Sequence, residues 1–143
     1  MAVDAVTQAG VQETLEKFRR GYEAKDMDLM VSCFAEDDVS IFGTAADEKR
    51  IGLEQIKFQI ERDFSQADRI RISYSNTSVS CSGTVAWSIS DVDIAIKSGD
   101  QLISIQARLT VVMEEFEENW RIRHLHLSLP DKDTDEGHSF PES

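Results

Sequence analysis

The sequence predicts an α+β domain with its helices first and its strands second. One change of period carries this. In the first half the apolar residues recur at helical spacing, and from Ile70 onward segments rich in Val, Ile, Thr and Ser read with the period of β-strands. A second observation is the length: 143 residues suit one domain with a single core.

Val11, Leu15, Phe18 and Tyr22 share one face at helical spacing, which predicts a helix over about Thr7 to Ala24. Asp26 can cap a second, shorter helix carrying Leu29, Met30, Cys33 and Phe34 and ending near Asp37 and Asp38. A short strand from Val39 to Phe42 follows, then a polar loop from Gly43 to Gly52. Leu53, Ile56, Ile60 and Phe64 mark the apolar face of a third helix. Four strands complete the chain, over Ile70–Cys81, Thr84–Lys97, Leu102–Glu114 and Trp120–Leu129, separated by the turn segments CSG, SGD and EEN. An antiparallel meander with three helices on one face of a curved sheet is the simplest arrangement. After Pro130 the segment DKDTDEGHSFPES holds too little apolar surface to fold, so residues 131–143 are expected to form a flexible acidic tail on a domain spanning 1–130.

Composition excludes several classes of function. Hydrophobic residues make up 41% and charged residues 29% of the chain, with no apolar run long enough to span a membrane. The net charge of -12 repels phosphate backbones and anionic lipid, so neither nucleic acid nor membrane is an expected partner. Cys33 and Cys81 belong to no CxxC or Cys/His cluster, which suits free thiols in a reducing compartment. The N-terminal residues lack a basic segment and an apolar segment, so a cytoplasmic location is the default.

The stretch NWRIRHLHLSLP, Asn119 to Pro130, holds two of the three histidines. Strict alternation puts Trp120, Ile122, His124, His126 and Ser128 on one face and Leu125, Leu127 and Leu129 on the other. In the preceding strand Ile103, Ile105, Leu109 and Val111 oppose a mixed face that contains Arg108. With helices covering one side only, the face of Ile103, Ile105, Leu109, Val111, Leu125 and Leu127 is expected to be buried by a second copy, giving a homodimer or a larger homo-oligomer. The mixed face then lies under the helices, where Arg108, His124, His126 and Ser128 converge on a pocket for a small-molecule ligand. Trp87, Ile89, Asp91 and Asp93 line the same pocket unless a bulge near Ser90 shifts the register.

Arg108-Leu-Thr110, the run from Trp120 to Ser128, and IFGTAADEKRIGLEQI from Ile41 to Ile56 resemble the SnoaL-like branch of the nuclear transport factor two-like superfamily. The spacing of Trp120, His124, His126 and Ser128 is also similar to that in the association domain of calcium/calmodulin-dependent protein kinase II. The resemblance covers about Val11 to Pro130. It implies a cone-shaped, cystatin-like fold with an internal pocket and dimerisation through the outer sheet face. Members include isomerases, dehydratases, hydrolases and cyclases as well as proteins that only bind or assemble, so fold does not decide function. The related enzymes tend to use an Asp with tyrosines, and the tyrosines of this chain are Tyr22 and Tyr74.

Each candidate has two readings. The histidines are structural imidazoles or ligand contacts, and two on one strand supply too few ligands for zinc, so no metal and no cofactor is expected. Arg108 pairs with a carboxylate such as Glu54 or Asp93, or it holds an anionic ligand. Trp87, Tyr22 and Phe18 are core or pocket wall. The acidic pair Asp47-Glu48 reads as a solvated rim. As an enzyme, the chain would perform acid/base chemistry on a small anionic or carbonyl compound, with His124, His126, Asp91 and Asp93 as candidate catalytic groups and Arg108, His124, His126, Trp87, Tyr22 and Ser128 as ligand contacts. The alternative is an association module whose pocket is vestigial or regulatory.

Overall fold

The computed structural model describes residues 3–141. Three helices precede the long strands: α1 (Ala5–Ala24), α2 (Met27–Ser32) and α3 (Leu53–Gln66), with short strands β1 (Ser40–Phe42) and β2 (Lys49–Ile51) between α2 and α3. The meander follows as β3 (Arg69–Ser82), β4 (Val85–Ser98), β5 (Gln101–Phe116) and β6 (Asn119–Ser128). One six-stranded sheet results, in the order β2-β1-β6-β5-β4-β3, antiparallel except for the parallel β1–β6 pair. The segment expected to be a plain loop thus contains β2, which forms because Lys49 to Ile51 can pair with β1 at the free edge of the sheet.

Asp4 caps α1 by accepting the Thr7 amide at 2.7 Å, and Asp26 caps α2 by accepting that of Leu29 at 3.1 Å. α1 buries Val11, Thr14, Leu15 and Gly21. Gly10 and Gly21 allow close approach: a Cβ at Gly10 would lie 2.5 Å from the Trp120 ring, and one at Gly21 would strike Met30. The Thr14 hydroxyl donates to the Trp120 carbonyl at 2.6 Å, fixing the helix over β6. α2 ends at Ser32, short of the expected Asp37, because the chain at Phe34 and Ala35 is recruited to the sheet. Phe34 bridges Ile122, the Ala35 amide donates to the Ile122 carbonyl at 2.9 Å, and the Ile122 amide donates to the Cys33 carbonyl at 2.7 Å.

The face assignment made from strict alternation is overturned in β6. Val112 pairs with His124 while Met113 pairs with Ile122, leaving Arg123 as an extra residue, a β-bulge. Ile122 and Leu125 therefore both point toward the helices and both are buried. The physical cause is a change of lateral partner. Ile122 pairs with the segment after α2, whereas residues 124–126 pair with β1, and the strand must shift by one residue between the two. Arg123 Nε holds Glu114 at 3.0 Å, its guanidinium reaches Asp37 Oδ1 at 3.2 Å, and it stacks over Phe116.

Leu109, Val111 and Leu125 accordingly form part of the core, and Ile103, Ile105 and Leu127 lie on the inner face with them. Leu109, Val111 and Leu125 are buried within the monomer, so the dimer surface expected from these six residues is not formed as a unit. β4 carries no bulge: it pairs with β5 in one unbroken register, and the irregularity lies across from it in β3, between Ser75 and Ser78. Beyond β6, Asp131 accepts the Asp133 amide at 2.9 Å and the Thr134 hydroxyl at 2.7 Å in an exposed turn. Among the described residues no helix is long and apolar enough to cross a membrane.

Candidate functional site

A cavity of about 350 Å³ lies between the helices and the inner face of the sheet. Phe18 and Tyr22 of α1, Phe34, and Ile60 of α3 wall it on the helical side. Ile70, Ile72, Ile94, Ile96 and Ile105 wall it on the sheet side. Exposed Gln101 and Ile103, near the β4–β5 turn, mark its mouth. Branched aliphatic and aromatic walls with few polar groups suit an organic ligand of modest size.

A hydrogen-bonded group of polar side chains gathers where α1, α3 and the β1–β2 connection meet. Tyr22 donates its hydroxyl to Asp63 Oδ2 at 2.8 Å. Gln59 Nε2 donates to Asp63 Oδ1 at 2.8 Å and to Glu48 Oε1 at 2.9 Å, and Gln59 Oε1 accepts from Arg50 Nε at 3.0 Å. Gln59 is only 3% exposed. Tyr22, Glu48, Gln59 and Asp63 all line the cavity, whereas the Arg50 guanidinium turns outward over the Phe58 ring. Arg62 completes the outer shell with contacts to Asp47 at 2.7 Å and Glu48 at 3.7 Å.

Burial pushes the Asp63 carboxyl above the usual aspartate range, with the Glu48 charge adding to it and the hydrogen bonds from Tyr22 and Gln59 opposing it. Burial, reinforced by the neighbouring Asp63, also holds the Tyr22 phenol well above its ordinary value. The pair is thus a carboxyl that holds its proton more tightly than an ordinary aspartate and a phenol that stays neutral.

Of the residues singled out in the sequence, the structure places Tyr22 on this cavity. The bulge at Arg123 sends His124, His126 and Ser128 to the outer face of the sheet, across from Val112, Thr110 and Arg108 of β5. Arg108 is exposed there, donating to Ser128 Oγ at 3.1 Å and to the Leu129 carbonyl, with neither Glu54 nor Asp93 as partner. Trp87, Ile89, Asp91 and Asp93 lie on the same outer face, Trp87 40% and Ile89 54% exposed. The expectation that these groups meet a ligand inside the cone is corrected, and the support Arg108 lent to an anionic ligand goes with it.

The histidines form a surface cluster of their own. Both rings pack edge-on against Phe42, at 5.1 and 5.4 Å, and Ser40 Oγ lies 2.7 Å from His124 Nδ1. Partial burial lowers the His124 pKa, opposed by the contact with Ser40 and assisted by His126. Among the described residues no three His, Cys, Asp or Glu side chains are grouped to hold a metal ion.

Asp63, Gln59 and Glu48 are missing from the site residues expected from the sequence. A signal for two of them existed: Ile56, Gln59, Ile60 and Asp63 fall at positions i, i+3, i+4 and i+7 of α3, so polar side chains interrupt the apolar stripe. Glu48, expected on a solvated rim, instead turns inward because its carboxylate accepts the Ala45 amide and closes the β1–β2 connection over α3.

Solved structures with this arrangement of helices and sheet are numerous. A nuclear transport factor 2 (NTF2-like) superfamily protein from Salmonella enterica is 20% identical, with a TM-score of 0.82 over 97% of this chain and 100% of that one. A protein provisionally named as a dehydratase of the NTF2-like family, from Streptomyces avermitilis, is 17% identical, with a TM-score of 0.78 over 85% of this chain and 94% of that one. Another, from Xanthomonas campestris and provisionally named as a calcium/calmodulin dependent protein kinase II association domain, is 18% identical, with a TM-score of 0.76 over 92% and 91% of the two chains. These likenesses establish the NTF2-like, cystatin-like fold. Comparison with curated protein sequences yields no match. The family model of the SnoaL-like domain matches residues 11–132, from the first buried turn of α1 to just beyond β6. By that match, and with the helix-capped cone that accompanies it, the chain belongs to the SnoaL-like family.

Proposed function

We propose that the chain binds a small, largely apolar molecule inside the cone and carries out acid/base chemistry on its carbonyl or hydroxyl end, in the manner of an isomerase, dehydratase or cyclase. The observation that carries this is the hydrogen-bonded series Tyr22–Asp63–Gln59 on the wall of a largely apolar cavity. A carboxyl raised by burial and joined to a neutral phenol can exchange a proton with a bound ligand, a contribution of about 10²–10⁴-fold to rate. Membership of the SnoaL-like family and the likeness to a provisionally named dehydratase support the same reading.

The first experiment is identification by mass spectrometry of molecules that co-purify with the chain, followed by thermal-shift titration with each. Tyr22→Phe and Asp63→Leu should weaken ligand-dependent stabilisation while the Ile-lined wall remains. Stabilisation unchanged in both variants would remove the polar cluster from the site.

A second reading, association of chains, is favoured by exposed Trp87 and Ile89 on the outer sheet face, beside Val112 and near the Phe42–His124–His126 cluster. A second copy applied to this face would bury them. Light scattering tests it: a monomer at micromolar concentration excludes the assembly, and a dimer that Trp87→Glu splits supports it.

A further inference from the structure

We propose that the cavity meets the polar end of its ligand through the Tyr22 hydroxyl, and that the proton on Asp63 sets whether this hydroxyl accepts a hydrogen bond from the ligand or donates one. The inference rests on the cavity being the ligand site. It adds the class of ligand that each protonation state admits: hydrogen-bond donors such as alcohols or N–H compounds when Asp63 is ionised, acceptors such as ketones when it is protonated.

Arg50 fixes the orientation of the Gln59 amide. A guanidinium only donates, so the atom of Gln59 that faces Arg50 Nε at 3.0 Å must be the amide oxygen. The amide nitrogen is then turned toward the carboxyls, and its two hydrogens are used by Glu48 Oε1 and Asp63 Oδ1. Asp63 Oδ1 is thereby held as an acceptor, because a proton there would be aimed at the hydrogens of the amide. A proton taken up by Asp63 goes to Oδ2, 2.8 Å from the Tyr22 oxygen.

With Asp63 ionised, the Tyr22 hydroxyl donates to Oδ2 and leaves a lone pair for a ligand donor. Uptake of one proton at Oδ2 reverses this bond. The carboxyl O–H now donates to the Tyr22 oxygen, and the Tyr22 hydrogen is freed for a ligand acceptor. If the ligand then takes that proton, the Tyr22 O–H bond breaks as the Asp63 proton moves to Tyr22. The net change is one proton from Asp63 to ligand, with Tyr22 restored.

The groups that bear on Asp63 are few. Tyr22 faces it from α1, Gln59 and Arg62 from its own helix, and Glu48 from the β1–β2 connection, with Arg50 of β2 acting through Gln59. The strands opposite present Ile70, Ile72 and Ile94, with Tyr74 of β3 close enough to act on Tyr22. Burial raises the carboxyl above the usual aspartate range.

A matched pair of probes tests the proposal: 1-indanone, which only accepts, and indole, which only donates. Affinity of each for the full chain is measured by calorimetry from about pH 4 to about pH 8. The expected result is opposite slopes, 1-indanone weakening and indole strengthening as pH rises, each by up to about tenfold per pH unit where the competent form is the minor one. Asp63→Asn should mimic the protonated state, since its oxygen must face Gln59 and its NH₂ must face Tyr22, and it should bind 1-indanone at all pH values with no slope. In Tyr22→Phe both slopes should vanish. Parallel or flat profiles in the native chain, or opposite slopes that survive Tyr22→Phe, overturn the inference and leave the cavity as a binding site. Failure of both probes to bind at any pH overturns the cavity reading itself.

Discussion

Tyr22 Oη and Asp63 Oδ2 stand 2.8 Å apart, joining the C-terminal part of α1 to that of α3 beside the cavity. Because burial raises the Asp63 carboxyl in the folded chain above its unfolded value, the folded state holds this proton more tightly than the unfolded state does. Its contribution to stability is therefore present below the ordinary aspartate range and is lost as pH rises through the folded value. Asp63→Asn should flatten that part of the profile, as measured by urea unfolding at a series of pH values. A variant whose stability falls with pH as steeply as the native chain would show that Asp63 is not the titrating group.

Arg123 makes room for the change of partner along β6, so its presence in the chain matters more than its side chain. Arg123→Ala loses partly exposed contacts to Glu114, Asp37 and Phe116, at a cost of about 1–2 kcal/mol. Deleting residue 123 should be far worse, because restored alternation would drive either Ile122 or Leu125 out of the core. Circular dichroism and urea melts distinguish the two. A deletion variant that unfolds cooperatively near the native midpoint would refute the bulge.

Gly10 faces the flat Trp120 ring, where an added methyl carbon would lie 2.5 Å from Cδ1 and 2.9 Å from Nε1, while Gly21 faces the flexible side chain of Met30. Gly10→Ala should destabilise by about 1–3 kcal/mol, since the buried ring has nowhere to move. Gly21→Ala should cost less, because Met can change rotamer and alanine favours the helix by about 1 kcal/mol. Thermal denaturation of the two variants gives the order directly.

Arg108 sits on the outer face, bonded to Ser128 Oγ, so Arg108→Ala should leave affinity for any ligand of the cavity unchanged. Its effect on monomer stability should stay within about 0.5 kcal/mol. A loss of ligand affinity in this variant, measured beside Tyr22→Phe, would return Arg108 to the binding site.

The elements themselves are written in local chemistry. Val11, Leu15, Phe18 and Tyr22 mark α1, Asp26 caps α2 as its side chain allows, and the alternation of β4 runs unbroken from Ala86 to Ile96. Even the polar cluster is half visible, since Gln59 and Asp63 interrupt the apolar stripe of α3. Such features depend on neighbours within one or two turns, and so the helices, the four long strands and their order can be read from the chain alone.

Which face of β6 looks inward depends on the assembled sheet. NWRIRHLHLSLP alternates without a visible break, yet Ile122 must pair with the segment after α2 and His124 with β1, whose Ser40 lies 84 residues earlier in the chain. The one-residue shift between those pairings turns His124, His126 and Ser128 outward and Leu125 and Leu127 inward. It thereby leaves the polar lining between the two helices to Tyr22, Asp63 and Gln59, brought together by contacts that no local pattern relates. Side-chain direction in a strand has a period of two, so one unpaired residue, set by contacts remote in sequence, inverts everything beyond it.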